Sequence, residues 1–230
     1  MSFSDSQNTS VGSGVTLVDR ADLYSRVGKR VIDFLLSLFG LILLAPVLIA
    51  VSAVIALSSP GPVLFRQQRA GKNGKPFWIL KFRSMIDGAE RMGGGVTPNN
   101  DPRVTPVGRF LRKWKLDELP QLWNVLKGDM SFVGPRPEIP AYVAGYSADQ
   151  KTVLNVRPGI TDPASLRYRN EGRVLGTSSD PDRLYREEIL PDKLRLNLQY
   201  VRNISFARDL LLILSTVKAV VMYSPTEERN

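Results

Sequence analysis

The chain has no cysteine and no histidine among its 230 residues. Without cysteine there are no disulfides, no thiolate nucleophile and none of the usual structural zinc sites. Without histidine the commonest general base and the commonest transition-metal ligand are missing. Any catalysis falls to Asp, Glu, Lys, Arg, Ser, Thr or Tyr. Any metal is a hard cation held by oxygen, with magnesium the first choice. The length suffices for one sizeable core.

What the chain does have is positive charge in one place. Residues 1–60 hold four basic and four acidic side chains, and residues 116–230 hold fifteen of each. Residues 61–115, with twelve basic and three acidic, therefore carry the whole net charge of +9. Such a patch attracts the phosphates of nucleic acid, anionic lipid or a diphosphate substrate. The plainer reading is a solvated basic face.

Residues 1–22, rich in Ser, Thr, Gly and Asn, read as a disordered tail. The apolar run begins too late for a signal peptide. Phe34 to Leu57 is 24 residues without a charge. A straight helix of that length reaches about 36 Å, more than the ~30 Å bilayer core. Pro46 sits mid-segment, where it removes a backbone hydrogen bond and bends a helix. Both flanks are basic: Arg26, Lys29 and Arg30 before, Arg66, Arg69, Lys72 and Lys75 after. Positive charge prefers the cytoplasmic side, so two basic flanks favour both ends staying there. A full span, a re-entrant helix broken at Pro46 and a buried core helix all remain open on these grounds.

Beyond residue 60, Val63–Arg69 and Phe77–Met85 read as strands joined at Asn73-Gly74, a strong hairpin signal. Gly93-Gly94-Gly95 lies in a loop. Thr105-Pro106 offers a cap and a first-turn proline for a helix through Lys115. A second helix is expected from about Glu118 to Lys127, closed by Gly128. Ser131–Arg136 reads as strand or loop, residues 147–155 as a short helix, and Glu187 to about Met222 as mostly helical. The apolar run Leu210–Val217 is too short to span. It suits either a membrane interface or a core-facing amphipathic helix. The expected class is thus α+β and mostly helical: a membrane helix over 23–60, a catalytic domain over 61–222 and a tail over 223–230.

The chemistry-bearing groups cluster in KLDELPQLWNVLKGDMSFVGPRPE, residues 115–138. Adjacent residues on a helix face different ways, so Asp117 and Glu118 suit a division of labour. One serves as nucleophile and one as metal ligand or proton handler, since a carboxylate can be phosphorylated. The plain alternative is an N-cap followed by a first-turn acid. Arg136, between two prolines, is presented on a stiff turn suited to phosphate. Lys81 and Arg83 share one strand face, with Phe82 on the other.

Together the motifs resemble the bacterial sugar transferase family, the monotopic phosphoglycosyl transferases. The resemblance rests on Lys29-Arg30-Val31-Ile32-Asp33-Phe34, Ala45-Pro46-Val47, Gln67-Gln68-Arg69-Ala70-Gly71, Lys81-Phe82-Arg83-Ser84-Met85, Leu116-Asp117-Glu118-Leu119-Pro120-Gln121-Leu122, Gly128-Asp129-Met130-Ser131-Phe132-Val133-Gly134-Pro135-Arg136-Pro137 and Arg157-Pro158-Gly159-Ile160-Thr161. It implies transfer of a sugar-1-phosphate from a UDP-sugar to a polyprenyl (undecaprenyl) phosphate, with release of UMP. That is the opening step of exopolysaccharide, O-antigen or glycoprotein glycan assembly. By the same resemblance Asp117 attacks the β-phosphate and forms a covalent phosphosugar intermediate. Glu118 helps bind Mg²⁺ or handle a proton, with Asp117 as the other metal-side carboxylate. Lys81, Arg83, Arg112 and Arg136 are the candidate phosphate or nucleotide contacts. The family also implies a re-entrant helix broken at Pro46 and a catalytic domain on the cytoplasmic face of the bacterial inner membrane. Partners are the UDP-sugar, the polyprenyl phosphate and membrane lipids; an oligomer stays open.

Two segments depart from the family pattern: Asp162-Pro163-Ala164-Ser165-Leu166-Arg167-Tyr168-Arg169-Asn170, and Asn197 where some members carry aspartate. These leave the sugar undetermined. A non-catalytic membrane scaffold of the same fold is the alternative reading. A nucleic-acid binder is disfavoured, because no such motif is present and few aromatics interleave the basic stretch.

Overall fold

A computed structural model describes residues 24–93, 95–99 and 101–222. The expected tails at 1–22 and 223–230, and Gly94 of the triple glycine, lie outside the described residues.

The apolar segment forms one helix, α1, from Lys29 to Ser58. Pro46 lies inside this helical element. Proline has no N–H for the Ile42 carbonyl, so one rung of the ladder is lost while the rungs on either side hold. At 30 residues the helix is long enough, and at a mean hydropathy of 2.8 apolar enough, to cross a membrane. Its two faces differ. Asp33, Ser37 and Ile55 are buried. Gly40 sits against Leu122, and Leu48 and Val51 join Ile55 in a cluster with Phe82 and Leu111. The spacing 33, 37, 40, 48, 51, 55 is one helical stripe. The other face leaves Phe39, Ile42, Leu43 and Ile49 each at least 62% exposed. A contiguous apolar surface of this size marks a lipid or protein contact.

Strands β1 (Leu64–Ala70) and β2 (Pro76–Phe82) form the expected antiparallel hairpin, with Leu64 opposite Phe82 and Ala70 opposite Pro76. Its tip is Asn73-Gly74, with φ of 56° and 72°. Two left-handed residues in succession are what a tight hairpin turn of the right twist demands. Strand alternation sends Phe82 into the core at 3% exposure and Lys81 the other way.

Helix α2 (Pro106–Lys113) starts as the sequence signals: the Thr105 hydroxyl accepts the Gly108 N–H at 2.9 Å. The next expected helix, from about Glu118, begins later. Lys115 takes a left-handed φ of 56°, Leu116–Glu118 form a 3₁₀ turn, and α3 spans Gln121–Lys127. Leu119 N–H already takes the Leu116 carbonyl, and Pro120 has no N–H to continue the ladder. The α-helix therefore restarts after it and ends at Gly128, φ 93°.

Two three-residue strands, β3 (Ser131–Val133) and β4 (Gly159–Thr161), pair in parallel, with Ser131 opposite Gly159. A Cβ on Gly159 would lie 2.1 Å from the Gly134 nitrogen, so only glycine allows this approach. The expected helix at 147–155 is a 3₁₀ turn at Gln150–Asn155. Helix α4 (Pro163–Arg167) follows, then short helical turns, then α5 (Leu190–Val201) and α6 (Phe206–Val221). The helical stretch expected as far as Met222 breaks before Ser205, whose hydroxyl accepts the Arg208 N–H at the start of α6. The largest core lies here, joining Tyr142, Tyr146, Val153, Leu175 and Tyr185 to Leu190, Leu194 and Leu198.

Candidate active site

Three elements converge at one place: the end of β2, the turn at 116–118, and the exit of β3. They bring Lys81, Asp117, Glu118 and Arg136 together. Lys81 Nζ lies 3.1 Å from Glu118 Oε1. Arg136 bonds the same oxygen through Nη2 and reaches Oε2 through Nη1 at 3.4 Å. Glu118 is thus held by two cations, one of them a fork. Asp117 is as deeply buried, at 6% exposure, but its Oδ1 accepts no hydrogen bond.

The two carboxyls are driven in opposite directions. For Glu118, burial opposes ionisation, but Arg136 and Lys81 outweigh it and hold its pKa well below the usual range. For Asp117, burial and then the adjacent Glu118 charge raise the pKa, with Lys81, Lys115 and Arg112 pulling the other way. This is the pattern of neighbouring acids set apart for different roles. Asp117 caps no helix, because it lies within the 3₁₀ turn and not at the start of α3. The plain capping alternative therefore falls away.

The sequence-selected cations are not all in one place. Lys81 and Arg136 meet at Glu118. Arg112 donates through Nε to Ser84 Oγ at 2.8 Å and lies within electrostatic reach of Asp117. Arg83 turns to the end of α1, where Nη2 donates to Ser59 O at 2.7 Å and to Ser59 Oγ at 3.0 Å. Its Nη1 is buried without a hydrogen bond.

Other side chains that sequence reasoning did not select hold this arrangement. Asn124 on α3 accepts the Leu80 N–H at 3.0 Å and donates to Trp78 O at 2.8 Å. It acts as a strand partner for the open edge of β2, fixing the turn with Glu118 beside Lys81. Its signal was a polar residue within the apolar helix, too common to single out. Asp162, fully buried, accepts the Arg136 N–H at 2.8 Å through Oδ2 and the Ser165 N–H at 2.6 Å through Oδ1. One carboxylate thus caps α4 and steadies the arginine turn. Helix α1 is tied to the same body: Arg30 donates to the Val125 and Leu126 carbonyls at 2.6 and 2.7 Å, and Asp33 accepts the Phe132 N–H at 3.0 Å.

Asp117, Glu118, Arg112 and Arg136 line an open cleft. Its lining includes polar Asn99, Tyr168 and Lys193 and apolar Leu44, Leu122 and Ile213.

The profile of the family described as bacterial sugar transferase matches residues 24–223. The chain belongs to the bacterial sugar transferase family. This is the family its motifs resemble, and the match takes in α1 as well as the cleft. A UDP-glucose:undecaprenyl-phosphate glucose-1-phosphate transferase of Caulobacter vibrioides is 39% identical over 196 residues, covering 84% of this chain and 69% of the relative. An exopolysaccharide production protein PSS of Rhizobium leguminosarum bv. phaseoli is 41% identical over 196 residues, covering 82% and 92%. A UDP-N-acetylgalactosamine-undecaprenyl-phosphate N-acetylgalactosaminephosphotransferase of Aeromonas hydrophila is 37% identical over 198 residues, covering 84% of this chain but 43% of the relative. The family's enzymes named here use different sugars at similar identity, so similarity alone assigns no sugar.

Proposed function

We propose that the protein transfers a sugar-1-phosphate from a UDP-sugar to a polyprenyl phosphate through a covalent intermediate on Asp117. An oxygen of the Asp117 carboxylate attacks the β-phosphorus of the donor. The bond from that phosphorus to the bridging oxygen breaks, and UMP leaves with the electron pair. A phosphate oxygen of the acceptor then attacks the same phosphorus. Asp117 is released and the product is a polyprenyl diphosphate sugar.

The observation that carries this reading is the contrast within the acidic pair. Glu118 is fixed as an anion by Lys81 and Arg136. Asp117 keeps a buried oxygen that no donor occupies. A carboxylate oxygen that accepts no hydrogen bond keeps its lone pairs for attack on phosphorus. Arg112 and Arg136 stand where they offset the charge of an arriving diphosphate, while Arg83 secures the end of α1.

Magnesium fits this donor set as an ion shared with the substrate. Among the described residues no cluster of three or more acidic groups exists, so carboxylates of those residues do not furnish a whole shell. Asp117 Oδ1 accepts no hydrogen bond, and Glu118 Oε2 only a long one at 3.4 Å. One or two carboxylates plus phosphate oxygens and water are the usual magnesium environment. The ion would neutralise charge on the diphosphate.

The reading includes a re-entrant course for α1, with both ends on the cytoplasmic face. Its support is the way both halves of the helix rest on one body. Arg30, Asp33 and Gly40 before Pro46, and Leu48, Val51 and Ile55 after it, all contact the elements carrying the site. Sending the two ends to opposite sides would strip one of these sets. The native chain has no cysteine, so Ser10→Cys and Asn73→Cys can be labelled singly. Both should react with an impermeant reagent only from the cytoplasmic side; labelling from opposite sides refutes the re-entrant course.

For the chemistry, Asp117→Asn should abolish UMP release from UDP-sugar and polyprenyl phosphate. Unchanged release would remove the nucleophile assignment.

A further inference from the structure

Arg112 is held at one corner of its guanidinium. It sits, half-buried, in the last turn of α2. Its Nε donates to Ser84 Oγ at 2.8 Å, and among the described residues Nη1 and Nη2 donate to no acceptor. Three carboxylates nonetheless lie within electrostatic reach: Asp117, Asp101 and Glu118. Two of these are committed elsewhere. Arg103 binds both oxygens of Asp101, Nε to Oδ1 at 2.9 Å and Nη2 to Oδ2 at 2.6 Å. Lys81 and Arg136 hold Glu118. Ser84, just beyond β2 and 7% exposed, decides where the held corner lies. Its carbonyl accepts the Thr105 N–H at 3.1 Å, at the cap of α2. A Cβ on Gly108 would lie 1.8 Å from the same carbonyl oxygen, so the first turn of α2 rests directly on Ser84. Arg112 follows Gly108 by four residues and shares its helix face. The Ser84 backbone thus fixes the start of α2, and its hydroxyl fixes the arginine one turn later.

We propose that Ser84 is a positioning residue, which holds Arg112 so that its Nη1–Nη2 edge is preset for the diphosphate of the UDP-sugar. This rests on the transfer reaction above. With Nε occupied, the guanidinium keeps its end-on edge, and two N–H donors side by side match two oxygens of a phosphate. Ser84 acts through Arg112 and does not itself touch the substrate. Without the hydroxyl, the arginine must be ordered when the diphosphate arrives. Ordering one long side chain weakens binding about three- to tenfold.

The test is a double-mutant comparison on the full chain, read as kcat/KM for the UDP-sugar and as Kd for UDP. UDP carries the diphosphate but no sugar to transfer, so its titration also reads variants too slow to assay. Ser84→Ala should lower kcat/KM and raise Kd, each by about three- to tenfold. Arg112→Met should cost about tenfold or more, as for loss of charged hydrogen bonds. The Ser84→Ala/Arg112→Met protein should match Arg112→Met within about twofold, because Ser84 then has nothing to position. Native kcat/KM and Kd in Ser84→Ala would overturn the proposal. So would a double variant weaker than Arg112→Met by the full Ser84→Ala factor, the result expected of a serine that only supports the fold or contacts substrate itself. Absence of UMP release from the unmodified protein with UDP-sugars and polyprenyl phosphate would instead refute the reaction, while the UDP titration would still decide whether Ser84 presets Arg112.

Discussion

Removing the Arg136 side chain tests the electrostatic pairing at the centre of the site. Arg136→Ala deletes both guanidinium contacts and leaves Lys81, at 3.1 Å, as the cation bonded to Glu118. Breaking one partner of a fully buried pair costs about 3–5 kcal/mol. Here the Arg136 side chain keeps 32% of its surface and Glu118 10%, so water screens part of the interaction. The loss should fall to about 2 kcal/mol, or about 4–8 °C in Tm for a domain of this size. The pH dependence has a definite sign. A carboxyl whose folded pKa is depressed stabilises the fold above its unfolded value, near 4.5 for Glu, and that contribution fades as pH falls below it. In the variant, burial is less opposed, the folded pKa rises, and this acid-side loss shrinks. Thermal unfolding in detergent at pH 7 and pH 4 should therefore show a large gap between native and variant at pH 7 and a smaller one at pH 4. UMP release should drop by about a hundredfold or more, as for loss of a preorganised electrostatic group. Arg136→Lys, which keeps the charge but not the fork, should recover only part. An Arg136→Ala protein with native Tm at pH 7 would refute the pairing argument.

Three further outcomes are expected. Asn124→Leu strands the Leu80 N–H and the Trp78 carbonyl on the edge of β2; it should cost about 2–5 kcal/mol, read as a lower denaturation midpoint. Arg83→Met frees Ser59, so limited proteolysis between residues 59 and 62 should accelerate while KM for UDP-sugar changes less than about twofold, as for loss of an anchor away from the reacting groups. Chelator should abolish turnover and added Mg²⁺ restore it; full activity in chelator would exclude the shared ion.

Local signals in the sequence carried much of the fold because the physics behind them is local. Asn73-Gly74 marks a turn since both residues accept positive φ, and they take it. Thr105 and Gly128 bound their helices as a hydroxyl cap and a left-handed terminator do. The shape of the acidic turn was less legible, because nothing in the sequence announces a left-handed Lys115. It starts the 3₁₀ turn at Leu116, so Asp117 lies inside that turn, ahead of Pro120 and the start of α3, with one carboxylate oxygen free of hydrogen bonds. The β3–β4 pair was hidden by its three-residue strands and by the 28-position offset between Ser131 and Gly159. Asp162 opens a segment that departs from the family pattern, but its bond to the Arg136 backbone is visible only once those distant segments meet. Among the cations, the pattern selected Lys81, Arg83, Arg112 and Arg136 alike as phosphate contacts, and it could not show Lys81 and Arg136 meeting at Glu118 or Arg83 turning to Ser59.

The central claim is that Asp117 becomes covalently phosphorylated, and intact mass measurement tests it most directly. The purified protein, given Mg²⁺ and its productive UDP-sugar but no acceptor, should gain the mass of one sugar phosphate. The mass should map to the peptide with Asp117, disappear when polyprenyl phosphate is added, and never form in Asp117→Asn. A native protein that releases UMP with acceptor present, yet carries no such adduct on Asp117 without it, would contradict the account.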